Sequence, residues 1–180
     1  MLKRIAQIIG RFGRDAKATA AVEFGGAASL LIISALNAID LGYYMYNRLQ
    51  VENAAQVGAQ AAWKTCSDQS RDLPATVNCS GLDAAVTAAI QSTTLGANVA
   101  LASGYPTEGY YCVNASNALQ SVGSLSAKPT NCSAAGNSGA TPGDYVQISV
   151  TYKFAPLFGL SVMSAWGVKS ITMTTWTRLS

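Results

Sequence analysis

Between Lys17 and a cluster of tyrosines, nearly every residue is apolar or small: "TAAVEFGGAASLLIISALNAIDLGYYMY", residues 19–46. As a helix, these 28 residues rise roughly 42 Å, more than the hydrocarbon core of a bilayer at about 30 Å. The apolar centre, residues 24–39, is short for a crossing by itself. The small residues before it and the belt of Tyr43, Tyr44 and Tyr46 after it complete the span. Lys3, Arg4, Arg11, Arg14 and Lys17 all precede the stretch. The positive-inside rule therefore puts the N-terminus in the cytoplasm and the bulk of the chain outside. A secretory signal peptide also begins with cations and an apolar core. The length of the basic region and a helical pattern that continues past any cleavage point speak against it.

That pattern continues at Val51, Ala54, Ala55, Gly58, Ala61 and Ala62, in steps of three and four. Glu52, Asn53, Gln56, Gln60 and Lys64 take the opposite face. The expectation is one helix over residues 19–64 that leaves the membrane and continues in water, with a buried face of small residues that allows close approach to a partner surface. A short membrane helix followed by a separate surface helix is the alternative. Leu2, Ile5, Ile8, Ile9 and Phe12 also recur at helical spacing among cations. Residues 1–18 thus read as a basic cytoplasmic leader, either lying on the leaflet as an amphipathic segment or without fixed structure.

Charge is local. Residues 1–18 carry five cations and one anion, while the remainder has seven cations and eight anions. A basic segment beside an apolar run suits an anionic membrane face. No later basic stripe interleaves with aromatics, so nucleic acid is not an expected partner. Only 12% of the chain is charged, about half the usual share, and its 180 residues allow one modest domain plus an anchor.

All four cysteines, Cys66, Cys79, Cys112 and Cys132, follow the apolar run, none within a Cys-x-x-Cys pair. Their even number beyond a membrane segment points to disulfides in an oxidising compartment. Of the three possible pairings, proximity in sequence favours Cys66–Cys79 and Cys112–Cys132. Free buried thiols are the other reading. The chain has no histidine, so Ser-His-Asp and Cys-His arrangements and histidine-completed zinc sites cannot form. No phosphate-binding glycine loop appears. Asp68 and Asp72 fall in a turn-rich stretch that suits solvated carboxylates. The expectation is a protein that is not an enzyme and holds no cofactor or metal.

Residues 65–180 read as an extracytoplasmic α+β domain. Residues 67–81 form a loop, and residues 82–94 form a helix with Leu82, Val86, Ala89 and Ile90 on one side. Residues 97–103 and 109–114 suggest two strands joined by a Gly-Tyr-Pro turn. Residues 115–143, rich in Ser, Asn and Gly, suggest a long surface loop. In "DYVQISVTYKF" (144–154), Val146, Ile148, Val150, Tyr152 and Phe154 alternate with polar neighbours, the mark of a strand with one buried face. Residues 155–167 are an apolar excursion, and residues 168–179 a final strand. The fold that fits is a long N-terminal helix, membrane-spanning in its first half, packed on a small antiparallel sheet.

Three polar residues stand out in the apolar stretch. Glu23 opens it, just before Phe24. Asn37 and Asp40 lie near its end, three apart, on a face that could meet a partner helix. Alternatively, Asp40 already sits at the outer interface, and Glu23 snorkels to the cytoplasmic one. The stretch "RFGRDAKATAAVEF" (11–24), the helix "AIDLGYYMYNRLQVENAAQVGAQAA" (38–62) and the late "VTYKFAPLFGL" (150–160) resemble the TadE-like family of minor pilins, or pseudopilins. That family belongs to the tight-adherence branch of type IV pilus systems. The resemblance implies cleavage by a prepilin peptidase between Ala18 and Thr19, where alanine replaces the family's usual glycine. Glu23 would then be the fifth residue of the mature chain, paired with the new N-terminus of a neighbouring subunit. It also implies an inner-membrane, single-pass protein with a periplasmic domain. Its partners would be other pilin subunits, the assembly machinery, the peptidase and the lipid bilayer, and its role the assembly of an adhesive pilus. An uncleaved accessory protein of the same apparatus is the alternative, as is an envelope-anchored enzyme or sensor.

Overall fold

The structure, a computed structural model, describes residues 16–66, 68, 71–159 and 162–180. The expected leader over residues 1–15 lies outside the described residues, as do residues 67, 69 and 70 of the expected loop. The chain divides into two compact units. One holds the described residues up to Tyr44 together with Pro156–Gly167. The other holds Met45–Ala155 and Val168–Ser180.

Helix α1, Ala16–Thr65, passes through the change from apolar to amphipathic sequence without a break. Among the described residues it is the one helix long and apolar enough to cross a membrane. From 19 to 35 its side chains are exposed, apart from half-buried Ala28. A helix apolar on all sides is at home in lipid or in a protein core, and no core among the described residues covers this part. It is a candidate membrane anchor. Its hydroxyls are satisfied locally: Ser29 Oγ donates to the Gly25 carbonyl at 2.7 Å and Ser34 Oγ to that of Leu30 at 2.8 Å. Such back-bonding suits surroundings without water.

In the second unit α1 acquires a buried face. Val51, Ala54, Ala55, Ala59, Ala62 and Cys66 are nearly or wholly buried, while Glu52, Asn53, Gln56, Gln60 and Lys64 are exposed. The stripe sits slightly round from the expected one, with Ala59 buried and Ala61 only half-buried. Helix α2, Ala75–Asn78, interrupts the expected loop. Helix α3, Leu82–Gln91, buries Leu82, Val86 and Ile90, three of the four residues expected on that side. A Cβ built at Gly58 would lie 2.9 Å from Ile90 Cγ2, 3.3 Å from Val86 Cγ1 and 3.4 Å from Ile148 Cγ2. Glycine is therefore what lets α1 approach both α3 and the sheet.

The sheet is antiparallel and centred on β4, Gly143–Lys153. One edge of β4 pairs with β5, Ser170–Arg178, from Tyr145↔Arg178 to Lys153↔Ser170. The other edge is shared end to end by β1, Val99–Leu101, and β2, Thr107–Val113. Helix α4, Val162–Ala165, lies in the β4–β5 connection. The alternation expected over residues 144–154 holds at Val146, Ile148, Val150 and Phe154, which are buried, whereas Tyr152 is only half-buried and Ser149 on the other face is buried as well.

Two expectations need correction. The Gly-Tyr-Pro turn does not fold β1 back on β2. From Val99↔Tyr152 to Thr107↔Gln147, eight positions of the edge chain span five of β4. The surplus loops out around Gly104, whose φ of 83° suits glycine, and Pro106, which has no N–H for a ladder. Residues 115–143 are also more than a surface loop. They contain β3, Leu119–Ser121, paired with β2, and a 3₁₀ turn at Ser133–Ala135. They close over a small core of Tyr110, Cys112, Val122, Cys132 and Ala135. A segment poor in bulky apolar residues gains this centre because the disulfide itself is buried there.

Both disulfides join the expected partners, Cys66–Cys79 over a separation of 13 and Cys112–Cys132 over 20. In the chain-entropy account, loops of this size contribute about 3 kcal/mol each.

The Gly58 contact yields a test. Gly58→Val removes a helix-weakening glycine but drives methyl groups into Ile90 and Val86, neither of which can swing aside. Overpacking of this kind costs about 1–3 kcal/mol. Thermal denaturation of the full chain in detergent is expected to show a lower Tm, and an unchanged or higher Tm contradicts the packing.

Candidate anchoring and assembly site

Asn37 and Asp40 occupy one face of α1 within the first unit. Both accept backbone N–H groups from the chain's own segment Pro156–Gly167. Asp40 is fully buried, and its Oδ1 accepts the N–H of Leu157 at 2.7 Å. Asn37 Oδ1 accepts the N–H of Val162 at 2.7 Å, while its Nδ2 donates to the Ile33 carbonyl at 2.8 Å. Val162 opens α4, so its N–H has no partner within that helix. Two polar side chains thus take up backbone donors of an otherwise apolar strap. Met163 is buried, and an apolar recess is lined by Asn37, Ala38, Leu41, Val162, Met163 and Trp166. Burying a carboxylate is costly unless it is hydrogen-bonded. Asp40 meets that cost through Oδ1, whereas Oδ2 is buried without a hydrogen-bond partner among the described residues.

Glu23 and Phe24 lie seventeen and sixteen positions before Asp40, about 25 Å along the helix. The structure does not bring the two groups together. Both side chains at 23–24 are exposed, and Thr19 lies one helical turn earlier. Between 19 and 39, Glu23 is the sole charged residue. The backbone at Ala18 and Thr19, the expected cleavage point, lies within α1. The two carboxylates of the apolar stretch are therefore handled oppositely, one sequestered by its own chain and one presented outward.

A third group of polar side chains gave no signal in the sequence. In the second unit, Glu108 on β2 accepts the N–H of Ala75 at 2.6 Å through Oε1, and the N–H and hydroxyl of Thr76 at 2.7 and 2.6 Å through Oε2. It holds the start of α2 against the sheet. Asp144 on β4 is fully buried. Burial, and then the negative charge of Glu108, push its carboxyl up to about 7, against a smaller opposing pull from Lys128. Tyr110, its cross-strand partner, is also raised, first by burial and then by Asp144 and Glu108. Residues 33 and 36 positions apart in sequence, such as 75, 108 and 144, carry no spacing that would reveal the cluster. Among the described residues, no group of three His, Cys, Asp or Glu could hold a metal ion.

Residues 18–60 match the model of the TadE-like protein family. The matched segment contains Thr19, Glu23, Phe24, Asn37 and Asp40, and it ends before either disulfide. A TadE-like domain suggests a Tad pilus-associated protein. No curated protein and no solved structure matches the chain.

Two outcomes follow from the geometry. A hydrogen bond to a charged acceptor is worth about 1.5–3 kcal/mol. Asp40→Ala is therefore expected to speed hydrogen exchange at the Leu157 amide about tenfold to hundredfold, and unchanged exchange contradicts the anchor. For Asp144, the folded state holds a proton more tightly than the unfolded chain between about pH 4 and pH 7. Its contribution to stability is full below about pH 4 and is lost as pH rises through about 7. Asp144→Asn should flatten this fall in a Tm series across that window.

Proposed function

We propose that the protein is a minor pilin or pseudopilin, anchored by α1 in the bacterial inner membrane, that helps assemble an adhesive tight-adherence pilus. The observation that carries this reading is Glu23, an exposed carboxylate on an apolar helix, inside the segment that matches the TadE-like family. In hydrocarbon an ionised carboxylate needs a cationic or hydrogen-bonding partner. Cleavage by a prepilin peptidase between Ala18 and Thr19 would create an amino group at Thr19. The Glu23 of one subunit would then pair with the amino group of its neighbour and set the register between their helices. The cations before Thr19 favour a cytoplasmic N-terminus. Two disulfides favour an oxidising compartment for the sheet-bearing unit, which in this reading is periplasmic. The role is structural rather than enzymatic.

The test compares surface pilus yield with the membrane level of the protein. Glu23→Gln is expected to leave the membrane level unchanged, since a neutral amide is cheaper in lipid, and to reduce piliation sharply. Glu23→Asp should fall between, because the charge remains on a shorter arm. Normal piliation with Glu23→Gln removes the pairing role. N-terminal sequencing of the membrane-purified protein decides cleavage separately, with Thr19 as the expected first residue.

A further inference from the structure

The strap Pro156–Gly167 exposes large apolar side chains as well as burying one. Asn37, Asp40 and Met163 are engaged within the unit, while Leu157, Val162 and Trp166 are 54%, 42% and 73% exposed, the last two on the recess they line with α1. Residues 155–168 contain no charged side chain, and the run is bracketed in sequence by Lys153 and Lys169, both exposed. In the same unit, Ile39 and Leu41 of α1 are also about half exposed. Exposed apolar groups continue from the candidate span onto the strap without a polar break.

Depth along the helix identifies what covers this surface. From Thr19, where the apolar stretch begins, to Asp40 the helix rises about 32 Å at about 1.5 Å per residue. That matches the thickness of the hydrocarbon core, about 30 Å. If the apolar stretch spans a bilayer, Asp40 and the strap bonded to it lie at the boundary opposite Lys17. This is the level at which tryptophan is favoured and at which flanking lysines can reach headgroups.

From this we infer that Pro156–Gly167 is a second membrane-contacting element, which lays Leu157, Val162 and Trp166 into the outer leaflet beside α1. It rests on the reading of α1 as a membrane span. Asn37 and Asp40 then have a definite task. They bind the strap's backbone N–H groups, so that an irregular segment can enter the interface without bare donors. The strap in turn fixes how deep the helix sits.

The experiment uses the full chain with Trp63→Phe and Trp176→Phe, which leaves Trp166 as the sole tryptophan. It is dispersed at low density in phosphatidylcholine vesicles with brominated acyl chains. Bromines near the ester end are expected to remove most of the Trp166 emission, and bromines near the chain end much less. A companion chain carries Trp166→Phe as well and reports from Ile32→Trp, which deep bromines should quench most. If Ile32→Trp is quenched and Trp166 is not, the inference is overturned and the span stands. Blue-shifted but unquenched Trp166 emission means a second copy covers the strap, and that also overturns it. If neither is quenched, the spanning reading fails and the inference fails with it.

Discussion

In the sheet-bearing unit, helix α1 meets its neighbours through a residue with no side chain. At Gly58, α1 comes near enough to α3 and β4 that one added methyl would meet Ile90, Val86 and Ile148. The rest of that unit follows from this constraint. A helix lined by Ala54, Ala55, Ala59 and Ala62 offers a shallow surface, so the bulk of the core must come from the other side. Val86 and Ile90 on α3, and Val146, Ile148 and Val150 on β4, supply it. Small residues thus move the packing volume from the helix onto the sheet, and dispersion contacts between closely spaced elements replace bulky interdigitation.

The first unit answers a different question, how an apolar helix carries polar groups. Ser29, Ser34 and the amide nitrogen of Asn37 donate to carbonyls four residues back along the helix. The oxygens of Asn37 and Asp40 accept from the strap. Each of these interactions replaces a hydrogen bond that water would otherwise make. Glu23 stands apart because its carboxylate is presented outward.

The Glu108–Asp144 region has another character. Glu108 is consumed by the start of α2, so its charge is fixed beside the buried Asp144. The result is a carboxyl that holds its proton to about neutral pH. Nothing in this geometry brings a nucleophile or a metal-binding set to the pair. Its consequence is a stability that depends on pH.

The sequence by itself determined the features that depend on neighbours along the chain. A continuous apolar run followed by three-and-four spacing produces α1, the same spacing produces α3, alternation produces β4, a β-branched run produces β5, and cysteine proximity pairs the disulfides. The polarity of Glu23, Asn37 and Asp40 was legible for the same reason, since a charge in an apolar run is conspicuous wherever the run folds. Only the tertiary structure decided what those residues meet. Asn37 and Asp40 reach a segment more than a hundred positions later, where their partners are backbone N–H groups, and backbone donors have no residue signature. The end-to-end placement of β1 and β2 was likewise hidden, because it is set by their register against β4 and not by the turn between them. The order in residues 115–143 arises from a disulfide buried among residues that are individually unremarkable in the sequence. Contacts of this kind are selected by the free energy of closing distant chain onto one surface, and no local pattern encodes that closure.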